Sequence, residues 1–87
     1  MDIGSLQRIG WDNKVLKNYN TVDLPLEFCM LQEKASAAFT AWRRESARLG
    51  EELADVMLYV THIAQMAGLD MDHEVKAKVD KNASNPA

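Results

Sequence analysis

Between Leu49 and Ala67 the chain is apolar around most of a helical circumference: Leu53, Val56, Met57, Val60, Ile63, Ala64 and Ala67 cover far more than a single stripe. A helix of that kind is buried from several sides. The chain has 87 residues, and a globule so small hides only about 60% of the surface its unfolded form exposes. One copy can build only a marginal core. The expectation is therefore a single domain over residues 1–87 that covers its apolar surface by pairing with other copies of itself.

The remaining segments agree with an all-α chain. Ala, Leu, Met, Glu, Lys and Gln are plentiful, β-branched and aromatic residues are sparse, and strict alternation is missing. From about Ser5 to Asn18, Leu6, Ile9, Val15 and Leu16 recur at loosely helical spacing around Gly10, so residues 1–22 are expected to be a less regular N-terminal segment. Asp23 is a capping residue, Pro25 suits a first helical turn, and Leu24, Phe28, Leu31, Ala35, Phe39 and Trp42 predict an apolar stripe running to Arg44, near Glu45. The connection 45–48 is short, which folds the 49–67 helix back antiparallel on its predecessor. Gly68 closes that helix, and Asp70 caps a last one from Met71 to about Asn82, leaving 83–87 as coil.

Composition narrows the function classes. Net charge is −3 with both signs interspersed, which excludes a general nucleic-acid binder, since such proteins need a basic face to displace counterions from phosphates. Cys29 is a lone cysteine, read as a core residue, and nothing matches a Cys/His zinc spacing. With no secretory pattern and no apolar run of about 20 residues, a cytoplasmic protein without membrane contacts is expected.

Against the greasy 49–67 helix, Glu52, Asp55, Tyr59 and His62 recur at i, i+3, i+7 and i+10 as one polar line. Two carboxylates a turn apart inside a bundle need a cation, because each loses hydration and repels the other. Magnesium is one such cation, binding through one or two carboxylates with water and phosphate oxygens. Glu-x-x-Asp is equally at home on a solvated helix face, so the pattern by itself leaves both readings open. His62 reads as a satisfied structural histidine, Met57 and Met66 as adaptable packing, and Trp42 as a packing anchor; Trp11 is a candidate to stack on a base.

The run Gly50-Glu51-Glu52-Leu53-Ala54-Asp55-Val56-Met57-Leu58-Tyr59, then Ala64, Gly68-Leu69-Asp70-Met71 and Lys78-x-x-x-Asn82, resembles the MazG-like all-helical nucleoside triphosphate pyrophosphohydrolases. Upstream, Ala38-Phe39-Thr40-Ala41-Trp42-Arg43 resembles the helix that precedes this motif, so the likeness covers about Leu24 to Pro86. The resemblance implies a dimer or dimer of dimers, an antiparallel helical hairpin whose flanking helices complete a four-helix-type bundle, and magnesium-dependent cleavage of a nucleoside triphosphate to monophosphate and pyrophosphate. Glu52 and Asp55 fall on the family's second acidic pair and would carry the chemistry. Glu33, Glu51, Glu52 and Asp55 are the candidate metal ligands, and Lys78 and Asn82 the candidate phosphate-binding pair at i, i+4.

Two departures qualify that reading. The family's first acidic pair aligns on Lys34 and Ala37, so both carboxylates are missing, and Glu33 lies about 100° around the helix from Lys34. Many relatives also carry Arg before the terminal proline, where this chain has Asn85-Pro86. A lysine facing Glu52 and Asp55 would neutralise them without a divalent ion. Three readings follow: a reduced pyrophosphohydrolase, an inactive nucleotide-binding or oligomerisation module in which Lys34 replaces the metal, and a plain helical hairpin.

Overall fold

The computed structural model describes residues 1–85 and contains four helices and, among those residues, no strand: α1 (Ile3–Leu16), α2 (Leu24–Arg43), α3 (Leu49–Met66) and α4 (Met71–Ser84). Each start but one has a side-chain cap. Asp2, Asp23 and Asp70 accept from the backbone N–H of Ser5, Leu26 and His73, at 2.6, 3.0 and 3.3 Å, satisfying donors that a helix leaves free. Pro25 occupies the first turn of α2 as predicted.

Three helix ends share one closing device. Asn18, Glu45 and Gly68 take positive φ (57°, 53° and 73°), and the residue after each donates back into the last turn: Tyr19 to the Lys14 carbonyl, Ser46 to that of Ala41, Leu69 to that of Ala64, at 2.8–2.9 Å. This is the Schellman arrangement. Only Gly68 was legible in advance, because the left-handed region is open to glycine at no steric cost.

α3 is the centre of the fold, with α2 and α1 packed on it and α4 packed on α1. The α2–α3 hairpin is antiparallel, as the pairings Glu27–His62 and Lys34–Tyr59 require. Gln7 fastens α1 to the α3–α4 turn: its amide donates to Gln65 Oε1 (3.0 Å) and the Leu69 carbonyl (2.8 Å), and its oxygen accepts from the Met71 N–H (3.1 Å).

Several expectations are corrected. Within residues 1–22, Ile3–Leu16 form a regular helix, α1, with Gly10 inside it, and 17–22 are the turn that follows. A Cβ at Gly10 would meet Leu58 at 3.5 Å and His62 Nε2 at 3.6 Å, ordinary contact distances that put Gly10 on the face of α1 packed against α3. At the other end Ala83 and Ser84 belong to α4, the Ser84 hydroxyl donating to the Asp80 carbonyl at 2.8 Å. Of the expected coil, Asn85 alone can be assessed, as Pro86 and Ala87 lie outside the described residues. Cys29 is exposed, not in a core.

The largest correction concerns the predicted apolar stripe of α2. Phe39 and Trp42 stack on each other, centroids 6.1 Å apart, yet are 56% and 63% exposed, and Phe28 is also open. On α3, Leu53 and Met57 are exposed as well. The buried apolar residues are Ala38, Ala41 and Ala64, with Gln7, Lys14, Glu27 and Thr61 buried beside them. The deepest part of the seam, among the described residues, is thus made of small and polar side chains, with bulkier ones such as Leu31, Leu58, Val60 and Ile63 half-buried around it.

Candidate functional site

Building from the seam, the deepest side chain is Glu27, 1% exposed on the first turn of α2. Its Oε1 accepts from Lys14 Nζ at 2.9 Å and from Asn20 Nδ2 at 3.3 Å. Lys14, on the last turn of α1, is itself 4% exposed. Asn20 belongs to the α1–α2 turn and also shapes it, its Oδ1 accepting from the Val22 and Asp23 N–H groups. Two helices and their connection are thereby tied to one carboxylate.

α3 supplies the third wall. His62 Nδ1 lies 3.7 Å from Glu27 Oε2, and both atoms are buried with no other partner. Burial, reinforced by the Lys14 charge, lowers the His62 pKa below its ordinary value, against a smaller opposing pull from Glu27. The ring is accordingly neutral at pH 7, with Nδ1 facing Glu27 and Nε2 on the Gly10 side. Tyr59 packs edge-on against His62, and the ammonium groups of Lys14 and Lys34 each lie 5.9 Å from its ring centroid, within cation–π range. Burial raises the Tyr59 pKa; Lys34 opposes this, and the nearby charges of Glu27, Asp55 and Glu33 add to it. The phenol stays a donor at neutral pH.

Lys14, Asn20, Glu27, Tyr59 and His62 line a cleft of about 460 Å³ with apolar walls from Leu26, Met30 and Leu58, and with Asn13, Tyr19 and Asp55 also on its lining. That volume is within the range of roughly 300–1,000 Å³ in which small molecules bind.

The residues singled out from the sequence are distributed as follows. Glu52 is largely shielded, its side chain 17% exposed, and Asp55 is half-buried. Arg48, one turn earlier, reaches both Glu51 (3.6 Å) and Glu52 (3.8 Å). Glu51 and Glu33 are exposed. Lys34 is half-buried on the seam and lies over Tyr59 on the same side of α3 as Asp55. Lys78 and Asn82 are exposed on α4 and contribute nothing to the cleft. Among the described residues no three His, Cys, Asp or Glu side chains converge. Trp11 is half-buried on α1. No helix among the described residues is long and apolar enough to cross a membrane.

Lys14, Glu27, Asn20 and Arg48 were missed in the sequence. A signal did exist for two of them: Gln7, Gly10 and Lys14 recur at i, i+3 and i+7, and Glu27, Lys34 and Ala41 every seventh residue, so polar and small residues themselves carry the seam's periodicity. A scan of known protein families and searches of the curated proteins and the solved structures find no match to this chain.

Two outcomes follow. Replacing one member of a buried ion pair strands the other charge, at a cost of about 3–5 kcal/mol, so Lys14→Met should lower the urea midpoint sharply while Lys14→Met with Glu27→Leu recovers most of the loss. His62 has a folded pKa below its unfolded one, so the unfolded chain binds more protons in acid. Its contribution is complete above about pH 6.5 and is lost as pH falls from there through the folded pKa; urea titrations across pH 5–8 should show a slope there that His62→Gln flattens.

Proposed function

We propose that this chain is a self-associating, MazG-like nucleotide-binding module in which Lys34 stands where a divalent ion would be expected. The observation that carries the reading is the placement of the Lys34 ammonium over Tyr59, in the electrostatic neighbourhood of Asp55, Glu33 and Glu27. A fixed cation there offers a triphosphate the charge that a metal otherwise supplies, and Lys binds phosphate as a point charge on a flexible stem.

Self-association is supported by the surface. The accessible area is 6432 Å², against about 5,200 Å² for a typical folded monomer of 9.8 kDa, an excess of roughly 1,200 Å². The radius of gyration, 14.5 Å, likewise exceeds the roughly 12 Å of a compact domain of this length. A standard interface removes about 800 Å² per partner, so a second copy laid on Phe28, Phe39, Trp42, Leu53 and Met57 would account for about two thirds of the surplus.

The pyrophosphohydrolase reading differs in one respect, a magnesium ion on Glu52 and Asp55, and a single series separates the two. Calorimetry in EDTA should show a nucleoside triphosphate binding the unaltered chain and binding at least tenfold more weakly to Lys34→Ala. Lys34→Glu with Ala37→Glu should create magnesium affinity that the unaltered chain lacks. Tight magnesium binding by the unaltered chain that disappears in Asp55→Ala, together with pyrophosphate release, would replace this proposal by the enzymatic one.

A further inference from the structure

α1 has two buried residues, Gln7 near its start and Lys14 in its last turn, and they anchor it by different chemistry. Gln7 is fixed by neutral hydrogen bonds to Gln65, Leu69 and Met71, which a change of pH leaves intact. Lys14 is fixed by charge, its Nζ 2.9 Å from Glu27 Oε1. Beyond Lys14 the helix is open to solvent, with Val15 and Leu16 55% and 83% exposed. The C-terminal half of α1 is therefore tied down chiefly through one carboxylate.

That carboxylate faces a second basic group. Glu27 Oε2 lies 3.7 Å from His62 Nδ1, and both atoms are shut away from water without a hydrogen bond. The gap is about 0.8 Å too long for an N–H···O bond, and buried polar atoms without partners are uncommon in folded chains. With His62 neutral, one ammonium balances one carboxylate. A proton on the ring would put two cations beside a single carboxylate, an excess charge that burial penalises. The other titratable groups around the ring are Tyr59, edge-on to it from α3, Tyr19 from the turn after α1, Asp55 further along the cleft, and Lys34 from α2, over Tyr59. Among the described residues neither Asp55 nor Lys34 forms an ion pair with Glu27 or His62, and α4 presents no group to the cleft.

We infer that His62 is a proton-operated second partner for Glu27: when the ring takes a proton from water, Nδ1–H closes on Oε2, Lys14 leaves Oε1, and the C-terminal half of α1 comes away from α3 while Gln7 holds the other half. Glu27 keeps one cation in each state, the ammonium in neutral solution and the imidazolium in acid, and Lys14 carries its charge into solvent on a flexible stem. Gly10, Asn13 and Lys14 form one wall of the cleft, so the same step opens it. The lowered pKa of His62 fits this competition, since the Lys14 charge is among its causes. The inference does not depend on what the cleft binds.

Nuclear magnetic resonance on the isotopically labelled full chain tests it. The His62 ring should titrate below about pH 6.5, and the amides of Asn13, Lys14 and Tyr19 and the indole of Trp11 should move with the same midpoint. The amides of Gln7, Leu69 and Met71 should stay in place. Lys14→Met should reverse the sign: with its competitor gone, His62 becomes the cation of Glu27 and titrates above about pH 6.5. Its contribution to stability is then present below that pH and lost as pH rises through the new midpoint. Glu27→Gln should leave a ring that still titrates without α1 following it. A His62 titration that leaves the α1 signals unmoved, a ring that stays neutral until the whole chain unfolds, or a His62 midpoint unchanged in Lys14→Met would each overturn the inference, and the first two need only the unaltered chain.

Discussion

In a single copy of this chain the most deeply buried described residues are small or polar, and several of its large apolar residues, Phe28, Phe39, Trp42, Leu53 and Met57 among them, are exposed. Burying Ala38, Ala41 and Ala64 removes little apolar surface, while each fixed residue costs about 1–2 kcal/mol of backbone entropy. At roughly 25 cal/mol per Å², half-buried side chains such as Leu31, Leu58, Val60 and Ile63 contribute within the chain, and covering the exposed apolar side chains of α2 and α3 would add to it. Everything else follows from where that surface is covered.

The polar seam then has a positive role. The Lys14–Glu27 pair, with Asn20 and His62 around it, fixes how α1, α2 and the connecting turn meet α3. A buried ion pair is close to neutral as a source of stability, but removing one partner is costly. Such a cluster therefore defines geometry more than it adds stability. The same geometry holds open a cleft lined by Asp55, Tyr59 and His62, and Lys34 lies over the Tyr59 ring. Site and scaffold are built from the same residues.

The all-helical class, the α2–α3 hairpin, the Asp23 and Asp70 caps and the Gly68 stop were legible because each depends on local chemistry over a few residues. The polar line of α3 was legible too, since four polar residues stand out on an apolar rod. What could not be read was which interface each face serves. Hydropathy finds the Phe28–Phe39–Trp42 stripe and assigns it to a core, without distinguishing a core inside the chain from one between chains. Gly10 reads as a break because helix propensity counts its entropy and not the close crossing of α3. Glu27 and Lys14, thirteen residues apart on different helices, become partners only when the turn at Asn20 folds them together.

The central claim is that the apolar stripe of α2 and α3 is an intermolecular core. Sedimentation equilibrium over a hundredfold dilution, with circular dichroism on the same samples, tests it most directly. The account predicts a species of at least twice 9.8 kDa at micromolar concentration, with an unfolding midpoint that falls on dilution and with Trp42→Glu shifting the chain toward a poorly folded monomer. A monomer that keeps its helicity and its unfolding midpoint across the whole dilution series would contradict it.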